Sequence, residues 1–345
     1  MQIKNRFLIV WTLTMVFCTS KANCQKNIIG FYNCENFYDT TNQVNVSDED
    51  FLPGSLKSYN QKAYASKSKN LARVLYALGN IENAGGITLL GVVEVENKMV
   101  LTKLLAEPLI SKYQYKYLHY DSKDLRGIDV ALIYNPTKFK PYQYRPYSLT
   151  DDTHFNDYAT RDILYVTGKL ENEWVHILVN HWPSRRGGEK ASMPKRLWAA
   201  NVCKRIMDSV GKINPKAKWI VMGDFNDNPT NKSIKSLGLY NPFILPFRKG
   251  MGTLAYNDSW NLFDQILISP NWTNEFSTEK EVKTESVITN CKTVIYKNND
   301  MIETQGRYKG YPKRTYNGNQ LRGGYSDHFP VALIFSLKNE KNDLK

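Results

Sequence analysis

The sequence predicts a layered fold of the α/β or α+β class. Three observations carry that prediction. Short apolar runs rich in β-branched residues recur along the whole chain. Between them stand segments whose apolar residues keep the 3–4 spacing of a helix. No internal repeat or low-complexity linker divides the chain, so strands and helices must share one set of layers.

In chain order, the N-terminus reads first as a targeting segment. Lys4 and Arg6 precede a mostly apolar run, Phe7–Phe17, and small residues stand at Ser20 and Ala22. This is the pattern of a signal peptide over residues 1–22. The run is shorter than the roughly 20 residues of a membrane span. Neither Cys18 nor Cys24 follows the small residue expected before a lipoprotein cysteine. The expectation is a secreted or periplasmic protein with no stable membrane anchor.

The first strand is Ile28–Tyr32. Leu71, Val74, Leu75 and Leu78 mark a helix that Gly79 would stop. Ile87–Val95 is a strand, and Val100, Leu101, Leu104 and Leu105 mark a second helix. Strands follow at Val130–Tyr134, Ile163–Leu170 and Trp174–Asn180. Trp198, Val202, Ile206 and Val210 mark a third helix, closed by Gly211. Trp219–Met222, Gln265–Ser269 and Pro330–Phe335 complete the strands. Asp39–Asn60, Arg248–Ser259 and Asn298–Gly324 are polar, Gly/Asn/Tyr-rich loops, and the polar insertion Asn271–Lys297 receives no element. One domain over residues 27–337 is expected, followed by a charged tail, 338–345.

Composition sets the class of partner. The 345 residues are 42% hydrophobic and 12% aromatic, enough for a large core, which argues against a disordered or collagen-like chain. The formal net charge is +13; the signal peptide carries three cations and no acid, leaving +10 on the mature chain. A basic balance favours anionic partners without choosing among nucleic acid, phosphorylated small molecules and anionic membranes. Cys24, Cys34, Cys203 and Cys291 remain after cleavage and show no zinc spacing. Cys34 and Cys203 read as buried small hydrophobes.

Small clusters of Asn, Asp, Glu or His stand at the ends of the apolar runs. They are Asn33-Cys34-Glu35-Asn36, Glu94-Val95-Glu96-Asn97, Asn180-His181, Gly223-Asp224-Phe225-Asn226, Asp264 and Ser326-Asp327-His328. Strand ends can converge on the rim of a sheet, where active sites are commonly built. Several acids in one pocket need a cation or strong donors to stay ionised. Carboxylates and amides suit Mg²⁺, with Mn²⁺ or Ca²⁺ as alternatives, rather than zinc. Taken singly, each cluster has a structural reading: Gly-Asp-Phe-Asn as an Asx turn, Glu94 as a helix-start acid, Ser-Asp-His as a bonded core pair.

The full set, in this order, resembles the endonuclease/exonuclease/phosphatase superfamily, the fold of deoxyribonuclease I. Phe31–Asp39, Arg126–Leu132 and Gly323–His328 look most like its exported bacterial branch. The resemblance covers Asn33 to Pro330. It implies a four-layer α/β/β/α sandwich of two packed mixed β-sheets with flanking helices, and metal-dependent hydrolysis of phosphate esters. By the same resemblance Glu94, Asn33 and Asp327 match the metal side of the site. Asp224 matches the acid that aligns or deprotonates the attacking water, and Asn226 a donor to a phosphoryl oxygen. His328 matches the catalytic histidine with Asp264 as its orienting carboxylate, and His181 a second, nuclease-type histidine placed to protonate the leaving oxygen.

Arg126 and Arg161 are the expected phosphate-binding cations, with Arg185 and Arg186 as further candidates or as solvated loop residues. Asp129 and Asp162 are acids that could pair with His181. His119, His154 and His176 read as structural. Glu35, Glu96 and Asn97 match the exported branch without an assigned role.

No abasic-site reader and no long membrane-touching hairpin is recognisable. The expected function is a secreted metal-dependent phosphodiesterase, foremost an endonuclease of nucleic acid. The alternative is a hydrolase of the same fold acting on a phosphorylated sugar, inositol phosphate or phospholipid head group. A non-catalytic binding protein is the third reading.

Overall fold

The computed structural model describes residues 26–149, 159–272 and 286–339. The signal segment, Cys24, His154 and most of the tail lie outside the described residues.

The strands in chain order are β1 (Lys26–Phe37), β2 (Leu89–Val95), β3 (Lys116–His119), β4 (Asp129–Tyr134), β5 (Phe139–Tyr147), β6 (Ile163–Leu170), β7 (Glu173–His181) and β8 (Lys218–Asp224). There follow β9 (Leu254–Tyr256), β10 (Ser259–Asn261), β11 (Asp264–Ile268), β12 (Ser286–Ile295), β13 (Tyr316–Asn317), β14 (Gln320–Leu321) and β15 (Val331–Asn339). The main helices are α1 (Gln61–Gly79), α2 (Lys98–Leu105), a single turn α3 (Pro108–Ser111) and α4 (Glu189–Gly211).

One sheet has the order β12-β15-β1-β2-β4-β3 and the other β11-β8-β7-β6-β5. Both are mixed: β1 and β2 run parallel, as do β7 and β8, and the other neighbours are antiparallel.

Three apolar clusters define four layers, as the resemblance implies. Val93, Leu132, Val179, Met222 and Ile266 fill the space between the sheets. Leu71, Leu75, Leu101 and Leu104 of α1 and α2 cover the outer face of the first sheet. Ala199, Cys203 and Ile206 of α4 cover the outer face of the second. Each fully buried aliphatic side chain contributes about 1.5–3 kcal/mol. The helices begin where polar side chains can cap them. Asn60 accepts from Lys62 N and Ala63 N at the start of α1. Asn97 does the same for Met99 N and Val100 N at α2, which gives that residue a structural role.

The structure adds strands that the sequence pattern did not reveal. The edge strand β5 carries Pro141 and Pro146 and is largely exposed, so it lacks an apolar run. Strand β12 lies inside the unassigned insertion and pairs with β15 at the other edge. The stretch Arg248–Ser259, expected as loop, holds most of the short β9–β10 hairpin. The last strand, β15, extends to Asn339, past the expected start of the tail.

This topology creates one functional edge. The C-terminal ends of β1, β2, β7 and β8 meet the N-terminal starts of β11 and β15 there. In register, Asp224 stands opposite both His181 on β7 and Asp264 on β11.

Candidate active site

The strand ends are bent so that their side chains face that edge. Glu94 has φ +58° where the β2–β4 register shifts, and Glu35 and Asn36 have φ +48° and +52° where β1–β2 shifts. Such bulges re-aim side chains at a sheet rim. Asn226, at φ +51°, makes the turn after β8.

Asn33 joins the two sheets. Its Nδ2 donates to Glu94 Oε1 at 3.3 Å and to Asp224 Oδ2 at 3.1 Å. Glu94 Oε2 accepts from the Asn36 backbone at 2.9 Å. Asp224 Oδ1 accepts from Asn226 N at 3.0 Å. His328 Nδ1 lies 2.7 Å from Asp264 Oδ2, so the expected dyad is present.

Five atoms then face a common centre. His181 Nε2 is 3.8 Å from both Glu94 Oε1 and Asp224 Oδ2. His328 Nε2 is 4.0 Å from Asp224 Oδ2 and 3.9 Å from Asp327 Oδ1. These gaps exceed hydrogen-bond length, so the groups converge without bonding one another.

The two imidazoles are pushed in opposite directions. Burial works against the His328 cation, but Asp264 and Asp327 outweigh it and raise its pKa well above 6.5. Burial, reinforced by Arg161, Arg126 and His328, holds the His181 pKa well below that value. His181 Nδ1 has no hydrogen-bond partner among the described residues. Burial pushes Asp224 up to about 7, with the His328 cation opposing and Asp264 adding to the rise.

A second charge network supports Asp327. Arg314, which was not anticipated, bonds Glu35 Oε1 at 2.9 Å and also pairs with Asp327. Fully buried Lys67 of α1 donates to Thr315 Oγ1 and Tyr325 O, each at 2.6 Å, and lies 3.6 Å from Glu35. Burial penalises the Glu35 carboxylate, yet Lys67 and Arg314 hold its pKa below the ordinary value. Asn70, one turn on, donates to Gly323 O and Gly324 O. A side chain at Gly324 would collide with the Lys313 and Arg314 carbonyls, so only glycine lets these strands of loop cross. No motif in the sequence signals Lys67 or Arg314; they are found only by their contacts.

The other expected residues are placed as follows. Arg126 is half-exposed and bonds Asp124 at 3.3 Å. Arg161 is buried, bonded to Asp124 at 3.1 Å and to the Trp182 carbonyl at 3.0 Å. Asn226 gives one amide proton to that same carbonyl. Arg185 is tied to Asp227, Glu189 and the Asn226 carbonyl, whereas Arg186 is exposed. Asp129 pairs with His119 at 3.2 Å rather than with His181. Burial and Asp129 raise the Asp162 pKa. Glu96 accepts from Asp39 N at 2.6 Å, and burial pushes it up to about 7. Cys34 and Cys203 are fully buried, and burial pushes the Cys34 thiol up to about 12.

The donor set fits a divalent cation. Five acids, Glu35, Glu94, Asp224, Asp264 and Asp327, stand against three cations that pair with or face them, Lys67, Arg314 and protonated His328. Burial and neighbouring acids raise the Asp327 pKa, a repulsion that a cation would relieve. Asp224, Asp264 and His328 also form a compact potential ligand group.

A two-sheet sandwich with acids, amides and two histidines converging at one edge has the fold of the phosphoester hydrolases. The sequence profile of the Endonuclease/Exonuclease/phosphatase family matches residues 28–337, and the chain belongs to that family. Solved structures share the fold. A mannosyl-6-phosphatase of Bacteroides thetaiotaomicron is 15% identical, with 90% of this chain and 99% of that one covered and a TM-score of 0.51. A humanised D. rerio TDP2 is 13% identical, with 90% and 99% covered and a TM-score of 0.53. The human nocturnin catalytic domain with bound sulfate is 15% identical, with 91% and 95% covered and a TM-score of 0.51. No curated protein matches the sequence. Among the described residues no helix is long and apolar enough to cross a membrane.

Proposed function

We propose that the chain is an exported, metal-dependent phosphodiesterase, foremost an endonuclease of nucleic acid. The observation that carries the hydrolase reading is the common centre faced by His181, His328, Asp224 and Glu94 at 3.8–4.0 Å. A Mg²⁺ ion held by Glu94 and Asp327, with Asn33 orienting Glu94 through its amide N–H, would act as a Lewis acid on a phosphoryl oxygen.

The protein's own groups divide the remaining work. Asp224, fixed by Asn33 and the Asn226 backbone, takes the proton of the attacking water; its pKa of about 7 suits a general base near neutral pH. His328, protonated and held by Asp264, presents Nε2–H to the phosphoryl oxygen and stabilises its growing charge. His181 is neutral in the free protein. A bound phosphate adds negative charge beside it, raises its proton affinity and suits it to protonate the leaving oxygen. Asn226 has a second amide N–H for a phosphoryl oxygen.

The nucleic-acid reading rests on the mature charge of +10 and on the half-exposed Arg126 and Arg314 flanking the centre. A second reading, a phosphatase or phosphodiesterase of a phosphorylated sugar, inositol phosphate or lipid head group, is favoured by a 210 Å³ cleft beside Glu35 and Arg314. The mannosyl-6-phosphatase of similar fold supports it further.

The deciding experiment offers the purified protein plasmid DNA, RNA, bis-p-nitrophenyl phosphate, inositol phosphates, sugar phosphates and sphingomyelin, each with Mg²⁺, Mn²⁺ or EDTA. Cleavage of DNA or RNA that EDTA abolishes supports the first reading. Turnover of small esters alone supports the second, and activity indifferent to EDTA removes the metal.

A further inference from the structure

We propose that the cleft between the loop ending at Tyr59 and the segment Arg314–Gly318 is a subsite for the sugar ring attached to the reacting phosphate. This rests on the hydrolase reading above. The cleft shares its rim with the centre. The Asn36 backbone, on one wall, bonds Glu94, and Arg314, on another, pairs with Asp327. A ring seated there therefore keeps its phosphate beside the metal-side acids.

The lining decides what kind of group fits. Phe51, Tyr59 and Tyr316 form a continuous aromatic wall, with centroids 5.6 Å and 6.1 Å apart in successive pairs. One face of Phe51 is stacked on Tyr38 at 4.2 Å, and Lys57 sits over the ring at 5.1 Å. No free ring face is left on Phe51 for a nucleobase to stack on. What remains is aromatic edge beside two hydrogen-bonding groups, the Lys57 ammonium and the Arg314 guanidinium. A saturated ring with hydroxyls matches that mixture. At 210 Å³ the cleft is smaller than the roughly 300 Å³ at which ligand pockets usually begin. It takes one ring rather than a length of polymer. Pentose and hexose phosphates share this chemistry.

The test is calorimetric binding of ribose 5-phosphate, glucose 6-phosphate and inorganic phosphate to the full chain with Mg²⁺. At least one sugar phosphate should bind about tenfold tighter than inorganic phosphate. Which one does so distinguishes a nucleotide sugar from a hexose. Lys57→Trp fills the cleft; Lys57 pairs with exposed Asp50 and sits over the Phe51 ring, contacts whose loss the fold should tolerate. In Lys57→Trp the sugar advantage should disappear, and in Lys57→Ala it should weaken. Equal affinities for all three probes in the wild type, or an advantage untouched by folded Lys57→Trp, would overturn the assignment. Hydrolysis of bis-p-nitrophenyl phosphate, which has no sugar, reports separately. If the wild type cleaves neither it nor the sugar phosphates with any metal while the sugar preference in binding stands, the hydrolase reading falls and a sugar-phosphate-binding cleft remains.

Discussion

The Asp264–His328 pair makes the sharpest prediction. Asp264 is fully buried, its Oδ2 lies 2.7 Å from His328 Nδ1, and its other oxygen has no partner among the described residues. Burial alone would leave His328 neutral, and Asp264 is the first of the groups that reverse this. Asp264→Asn keeps the volume and removes the charge, so the His328 pKa should fall. Losing one preorganised donor to a developing oxyanion costs about 2.7–4 kcal/mol, or on the order of 10²–10³ in kcat. His328→Ala should fall in that range, with a smaller change in KM. Asp264→Asn should approach it, and the double variant should be no worse than His328→Ala, because both act through one imidazole. The assay is steady-state hydrolysis of bis-p-nitrophenyl phosphate at saturating Mg²⁺, with thermal melts alongside. Because the folded pKa of His328 lies above its unfolded value, its stabilisation is full below about pH 6.5 and fades as pH rises through the folded pKa. The Tm gap between wild type and His328→Ala should therefore narrow at alkaline pH. Activity lost only in proportion to unfolded protein would refute the catalytic reasoning.

Glu94→Gln keeps shape but removes a metal-side charge. Mg²⁺ titrations should show weaker apparent affinity and most activity lost at low metal, with partial recovery at high metal. Lys67→Met leaves Glu35 buried with Arg314 and the Thr315 backbone N–H, and strips Thr315 Oγ1 and Tyr325 O of their donor. Denaturant melts should show a loss of about 3–5 kcal/mol, the range for breaking a buried ion pair, and an unchanged midpoint would refute the network. N-terminal sequencing of exported protein should begin close to Asn23, and a mature chain retaining Met1 in the membrane would reverse the export proposal.

The layered architecture was legible where strands are buried on both faces. Ile163–Val166 at the start of β6 and Trp219–Met222 read as unbroken apolar runs because sheet and helix cover them. Of the edge strands, β11 was legible because it is fully buried, whereas β3, β5 and β12 were not. Phe139–Tyr147 carries two prolines and faces water, and Ser286–Ile295 is too polar to announce itself. The strand-end side chains came through by motif, since Asp224, Asp264 and His328 lie in short recognisable clusters. Lys67 and Arg314 did not, because their meaning depends on partners more than 200 residues away along the chain, Tyr325 and Glu35. Asp129 illustrates the same limit: position made His181 a possible partner, but the β3–β4 pairing brings it His119 instead.

The site belongs to neither sheet alone. Asn33, Glu94, Asp327 and His328 come from β1, β2 and the entry to β15 in one sheet. His181, Asp224 and Asp264 come from β7, β8 and β11 in the other. The bonds that assemble the centre cross the seam: Asn33 to Asp224 and His328 to Asp264. Ser326 ties the last piece back, donating to the Asn33 carbonyl while accepting from His328 N. Sheet-to-sheet packing therefore sets the distance between the two imidazoles, and the core that maintains it is the inter-sheet layer around Val93, Met222 and Ile266. The opposite charge states of the histidines follow from the same division. His328 carries its acid partner across the seam, whereas His181 sits on the side of Arg161 and Arg126 with no carboxylate bonded to it. One buried edge thus holds His328 protonated and His181 neutral, each within 4.0 Å of the same Asp224 oxygen.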